Sequence, residues 1–385
     1  MFLRIHYLFI ALLISGCTTN KTTDLSPFQE SFRPDNNYHV GLNPIFIAAA
    51  DLNNDGATDL ITSNSNSHNI SVLLGNKDGT FKDHLMVPVG KKPRGIAAGD
   101  FNGDKIPDLA IVNNETDDLT ILLGKGDGSF VEGEKITLEQ RSPLFVESAD
   151  FNQDGKTDLV VLSRFDHVVV YLGNGAGTFK FHKTFEADDT PTALVVGDFN
   201  NDRHLDLAIT NNGPVKNGIE ILLGDGQGNF TVGYRHTERN FRPISLTQTD
   251  LNGDGKADLI TVDPIHHNVS VFLGNGDGTF KNGVTMSGDS EPISIVSGDF
   301  NGDHLTDIAF INNASSTLMV LFGNGDGAFK EPPARYQTKR GPFAMVKGDF
   351  NHDGFTDFAI ANNGDSSVSI FFGQAIQPVK SVPPS

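Results

Sequence analysis

Apolar and polar positions along the chain change over in short blocks, and no long stretch keeps a helical period. The stretch from Arg94 to Phe130 shows the pattern best. Arg94-Gly95-Ile96-Ala97-Ala98-Gly99 predicts a strand of small residues, suited to a place where sheets converge and bulk has no room. Leu109-Ala110-Ile111-Val112 is a continuous apolar run, as expected of a strand buried on both faces. Leu119-Thr120-Ile121-Leu122-Leu123 predicts a third strand, ended by the turn Gly124-Lys125-Gly126-Asp127-Gly128. Phe130 opens a fourth, more polar strand that runs to Gly133 or beyond. This grammar returns about every fifty residues, seven times between Phe28 and Gly373. Short strands with a fixed period and Gly-rich turns predict an all-β radial array: a seven-bladed β-propeller with four strands per blade.

The two ends of the chain predict how the ring closes. The seventh repeat stops after its third strand, Ser369-Ile370-Phe371-Phe372-Gly373, and lacks the Gly-x-Phe that opens a fourth. Ser26-Pro27-Phe28 followed by Tyr38-His39-Val40-Gly41 matches Gly79-Thr80-Phe81 followed by Val87-Pro88-Val89-Gly90. Residues 28–40 are therefore expected to supply the outer strand of the last blade, which removes the open edge. The propeller spans 28–373, and the Pro-rich residues 374–385 form a tail.

Between the first and second strand of each repeat lies an acidic nonapeptide. In Asp51-Leu52-Asn53-Asn54-Asp55-Gly56-Ala57-Thr58-Asp59, side-chain oxygens stand at positions 1, 3, 5 and 9. All seven copies keep Asp, Asn, Asp and Asp there. Three carboxylates and an amide oxygen at this spacing, with a backbone carbonyl available from position 7, suit a hard cation. Turn capping without metal is the alternative for these residue types. The loops concentrate 21 of the 48 acidic residues, against 29 basic ones in the whole chain. Without cations they would repel within each loop, so metal and folding are expected to be coupled. The acidic balance also excludes a nucleic-acid binder, which needs a basic face.

Cys17 is the lone cysteine, so no intramolecular disulfide forms. Arg4 and the apolar run Leu8 to Ile14 have the anatomy of an export signal too short to span a bilayer. Ile14-Ser15-Gly16-Cys17 resembles the bacterial lipobox, which implies removal of residues 1–16 and lipid attachment to Cys17. Residues 17–27 would then be a polar tether, and a membrane the first partner. Thr18, where aspartate would signal inner-membrane retention, points to an outer-membrane anchor facing the periplasm or the surface. An ordinary secretory leader is the alternative.

The Asp-Phe-Asn-x-Asp-Gly loop together with the Leu-Gly-Asn-Gly-Asp-Gly-x-Phe turn resembles the FG-GAP/VCBS repeat of integrin α propellers and bacterial surface proteins. The resemblance covers residues 28–373 and implies up to seven calcium ions. In the first loop it implies Asp51, Asn53, Asp55 and Asp59 as ligands, with the carbonyl of Ala57. Loop two offers Asp100, Asn102, Asp104, Asp108 and Ile106; loop three Asp150, Asn152, Asp154, Asp158 and Lys156. Loop four offers Asp198, Asn200, Asp202, Asp206 and His204; loop five Asp250, Asn252, Asp254, Asp258 and Lys256. Loop six offers Asp299, Asn301, Asp303, Asp307 and Leu305, and loop seven Asp349, Asn351, Asp353, Asp357 and Phe355. No bidentate glutamate follows at position 12, so affinity falls toward the weak extracellular range. Position 6 is glycine in the odd loops but Lys105, Arg203 and His304 in the even ones. If it needs a left-handed backbone, the even loops are strained by about 1 kcal/mol each and hold calcium less tightly.

The opposite face gathers the blade connections and the loops between second and third strands. Arg94, Arg141, Arg242 and Arg340 lie there near prolines, with Asn113-Asn114, Asn211-Asn212, Asn312-Asn313 and Asn362-Asn363. These groups suit an acidic or hydroxyl-rich ligand, a glycan or an envelope protein. Solvated arginines and strand-ending asparagines are the alternative. Trp is absent, which weakens a sugar-binding reading. His167, His266 and His267 are the histidines expected near this face, with no nucleophile or metal constellation beside them. The expectation is a monomeric, lipid-anchored, noncatalytic binding module or assembly scaffold. A carbohydrate-active lyase, a lectin or a structural envelope component is the alternative.

Overall fold

Six innermost strands begin on a proline, where no backbone donor is needed: Pro44–Ala50, Pro93–Gly99, Pro143–Ala149, Pro191–Gly197, Pro292–Gly298 and Pro342–Gly348. The seventh, Ser245–Thr249, starts two residues after Pro243. The computed structural model describes residues 32–238 and 240–374. They form seven four-stranded antiparallel sheets, and no helix occurs among the described residues. The innermost strands neighbour one another around the ring, the first blade meeting the seventh.

The second strands are the apolar runs, and they are buried from end to end in six blades, as in Asp59–Asn64, Asp108–Asn113 and Asp307–Asn312. A neighbouring blade covers each face, so the alternation of a half-exposed strand is missing. Each side chain such as Leu109, Ile111 or Phe310 is fully removed from water, worth roughly 1.5–3 kcal/mol apiece.

The N-terminal strand Phe32–His39 pairs antiparallel with the third strand of the last blade, Ser367–Gly373, so the ring closes as the two chain ends predict. The register corrects one detail. Phe179, Phe230 and Phe280 stand opposite Gly173, Gly224 and Gly274, and the residue opposite Gly373 is Phe32, not Phe28. Phe32 fills that place because its ring packs on Phe358 at 4.7 Å and edge-on to Tyr336 at 5.7 Å. The expected export signal (1–16), Cys17 with the expected tether, and residues 375–385 lie outside the described residues.

Candidate metal loops and the axial funnel

Every acidic loop folds on its own side chains. The position-1 carboxylate accepts the position-6 amide, Gly56 N–H to Asp51 at 2.8 Å and Arg203 N–H to Asp198 at 2.9 Å. The position-3 asparagine oxygen accepts the position-5 amide, and the position-5 carboxylate accepts the position-7 amide, as in Asn53, Asp55 and Ala57. These contacts turn the backbone left-handed at two places. Position 6 has positive φ in all seven loops, from 65° at His304 to 87° at Gly354. Position 4 does so as well, at Asn54, Gly103, Gln153, Asn201, Gly253, Gly302 and His352. Sequence reasoning identified the requirement at position 6 and missed it at position 4.

The position-9 aspartates are completely buried and staple the loop to the end of the third strand. Asp59 accepts Leu52 N–H at 2.9 Å with one oxygen and Gly75 N–H at 2.8 Å with the other. The same pair of bonds recurs at Asp108, Asp158, Asp206, Asp258, Asp307 and Asp357. Burial, reinforced by the charges at positions 1 and 5, raises these acids: Asp59, Asp158 and Asp206 to about 6, Asp307 and Asp357 to about 7. Backbone donors offset part of the shift.

The donor chemistry, hard oxygens at every position, fits a calcium-like cation. Among the described residues, however, no three His, Cys, Asp or Glu side chains converge as a metal cluster, because positions 1 and 9 direct oxygens at backbone amides. Cationic side chains already approach some loops. Lys330 reaches Asp303 at 3.1 Å, and Lys156 and Lys256 each reach a position-5 carboxylate at 3.6 Å. The acids of the Gly-rich turns cap those turns: Asp78 accepts Thr80 N–H at 2.9 Å. Asn174 and Asp225 take over where Ala176 and Gln227 replace that acid.

On the face away from the loops, the innermost strands surround a funnel of about 590 Å³ on the axis. Ile45, Leu144, Ile244, Ile293 and Phe343 occupy equivalent positions in five blades, with Phe46 and Phe145 meeting edge-on at 5.9 Å. Arg94 and Arg164 bring guanidinium groups to this apolar wall. Burial and the neighbouring Arg164 charge hold Arg94 below the usual arginine range.

The four arginines expected on this face are not brought together. Arg242 donates to the carbonyls of Asn212 and Gly213, and Arg340 pairs with Asp365 at 2.7 Å. Arg141 is exposed on its connection. Arg94 alone enters the funnel, joined by Arg164. Arg164 takes the place held by Asn114, Asn212, Asn313 and Asn363 in other repeats, and that departure was the available signal. The asparagine pairs are structural. Asn113, Asn211, Asn312 and Asn362 are buried, while Asn114 and Asn313 donate to the carbonyls of Pro143 and Pro342 in the next blade. His68 also lies on this face, where its Nδ1 accepts Lys92 N–H, so the histidines there include one more than expected.

Residues 51–111, 100–161, 150–209, 198–261, 250–310 and 299–360 each match the FG-GAP-like repeat, together most of the chain. The protein belongs to the FG-GAP-like repeat family. No curated protein matches it. Among solved structures, this FG-GAP-like propeller is similar to BBS1N, crystallised in complex with ARL6DN. The TM-score is 0.64 at 11% identity, covering 90% of this chain and 99% of that one. Virginiamycin B lyase from Staphylococcus aureus gives a TM-score of 0.61 at 13% identity, covering 88% and 99%. A protein from Lactobacillus plantarum gives 0.60 at 15%, covering 80% and 88%. At such identities the likeness concerns the fold alone.

Proposed function

We propose that this FG-GAP-like propeller is a calcium-binding, lipid-anchored, noncatalytic binding module or assembly scaffold of a bacterial cell envelope. The observation that carries the binding role is the funnel face. Leu42, Phe165, Val215, Ile265 and Phe343 are exposed there around an apolar cavity, on the side free of acidic loops. Phe165, Val215 and Ile265 stand on the loops between second and third strands of three consecutive blades, so the exposure is grouped rather than scattered.

Calcium at the seven loops would neutralise the grouped carboxylates and hold each innermost strand to its second strand. The donors are the Asp, Asn, Asp and Asp side chains with the position-7 carbonyl. Lipidation of Cys17 would place the propeller at a membrane, with residues 18–27 as tether.

A lyase remains the second reading, favoured by one contact on the same face: His266 Nδ1 lies 2.8 Å from Asp263. Among the described residues no hydroxyl or thiol is hydrogen-bonded to a histidine, so a base with its partner is present but a nucleophile beside it is not.

An array of envelope proteins and glycans, probed in millimolar calcium and again after chelation, tests the binding reading. Capture that disappears on chelation supports it. Turnover of an acidic polysaccharide, lost in His266→Ala, would replace it with the enzyme reading.

A further inference from the structure

The funnel contains an electrostatic imbalance that the fold does not resolve. Arg94 sits on an innermost strand, half-buried, and Arg164 lies on the loop of the adjacent blade. Among the described residues neither guanidinium makes an ion pair or a side-chain hydrogen bond, and the charge that acts on Arg94 is the like charge of Arg164. Several other cations on the same face are paired with acids: Arg340 with Asp365, Lys216 with Asp188, Lys92 with Glu115. Arg94 is desolvated without a counter-charge while Arg164 beside it is exposed, so an anion held between them would offset the cost at Arg94. The one carboxyl deeper on the axial strands, Glu147, interacts with neither and is raised to about 7 by burial alone.

The remaining lining defines the rest of the ligand. Ile45, Phe46, Phe145, Ile244, Ile293 and Phe343 offer hydrocarbon and aromatic surface, interrupted by the hydroxyls of Thr190, Thr192, Ser245 and Ser294. The volume, about 590 Å³, is that of a small-molecule site. Arg94 is half-buried in the cavity lining, so an anion paired with it lies against the apolar wall.

We propose that the axial funnel is a binding site for a small amphipathic carboxylate, a single anionic head on an apolar body. The guanidinium forks of Arg94 and Arg164 take the carboxylate, and the Phe and Ile side chains enclose the body. This deepens the binding-module reading by naming a ligand class for the same face, and it rests on that reading. It does not require the calcium loops to take part.

Calorimetric titration of the full chain in millimolar calcium tests it, with decanoate as probe and decanol and decyltrimethylammonium as matched neutral and cationic bodies. Decanoate is expected to bind once per chain and at least about tenfold tighter than decanol. Arg94→Met should weaken decanoate about tenfold or more and leave decanol unchanged. Arg164→Gln serves the same purpose if the Arg94 variant does not melt like the parent. Equal binding of decanoate and decanol, unchanged affinity in folded variants, multiple sites per chain, or no binding at all would each overturn the proposal. Partner capture in the envelope array would survive such a result, so the failure of this ligand class is distinguishable from failure of the binding reading.

Discussion

Phe81 and Phe350, in the first and last blades, meet edge to face with ring centroids 5.9 Å apart. The Gly79 amide donates to the Phe350 carbonyl at 3.1 Å beside them, and Phe81 N–H donates to the Tyr38 hydroxyl at 3.1 Å. The same joint recurs between neighbouring blades as Phe101 with Phe179, Phe151 with Phe230 and Phe199 with Phe280. Where the loop residue is Leu52 or Leu251, the facing Phe130 and Phe329 are only partly buried. The ring is thus joined at the seam by the contact that joins most of its blades. Phe350→Ala should destabilise the protein by about 3–5 kcal/mol in chemical denaturation, chiefly through the cavity left at the seam. A loss below about 1 kcal/mol would show that the seam carries no load.

Loop strain should follow positions 4 and 6 together, not position 6 alone. Loop four has Asn201 and Arg203 at the two left-handed places, and loop five has Gly253 and Gly255. Arg203→Gly is expected to be neutral to stabilising by up to about 1 kcal/mol, whereas Gly255→Ala should cost about 1 kcal/mol. Thermal melts in calcium and in chelator would report both, and a fall in stability with Arg203→Gly would refute the strain argument.

Removing divalent ions should lower the melting temperature, because each loop then holds three carboxylates with no counter-charge beyond the occasional lysine. The drop should be largest at low ionic strength, where repulsion is least screened. Identical melts and circular dichroism with and without chelator would remove calcium from the account.

Glu147 makes stability fall with pH in a defined window. Its carboxyl is raised from 4.5 to about 7 by burial, so the folded state keeps a proton that the unfolded chain releases. Below about pH 4.5 the two states match; between there and pH 7 the penalty grows; above pH 7 it is complete. Glu147→Gln should therefore stabilise by about 2–3 kcal/mol at pH 8 and very little at pH 4, as read from denaturation midpoints. Equal effects at both values would assign the change to packing.

Blade four contains a partly buried ion network. Arg235 donates to Asp188 and to the fully buried Glu220, each at 2.7 Å, and Lys216 reaches Asp188 at 3.1 Å. Arg235→Met leaves Glu220 without its cation and should cost about 2–3 kcal/mol, less than a fully enclosed pair because the arginine is 42% exposed. Adding Glu220→Gln should recover part of that loss; additive losses would contradict the pairing.

Local signals made much of this legible. The small-residue strands, apolar runs, acidic loops and Gly-x-Phe turns each announce themselves within a few residues, and their period supplies the blade count. The closing strand was legible as a matching segment at the other terminus, but its register was not. Phe28 and Phe32 are both followed by polar residues, and pairing with Gly373 distinguishes them. The arginines failed for a similar reason. Nothing local tells Arg94, which enters the funnel, from Arg242, which caps two carbonyls, or from Arg340, which has Asp365 beside it.

The sequence by itself determined the repeat: strand order, the two glycine-like turns, and acids at fixed offsets, all set by chemistry between residues close in the chain. Tertiary structure alone decided which phenylalanine locks the seam, which asparagines are buried, and which two guanidiniums share a cavity without an acid. Those outcomes depend on groups that the ring brings together from different blades, and local chain chemistry contains no term for a neighbour that arrives only when the circle closes.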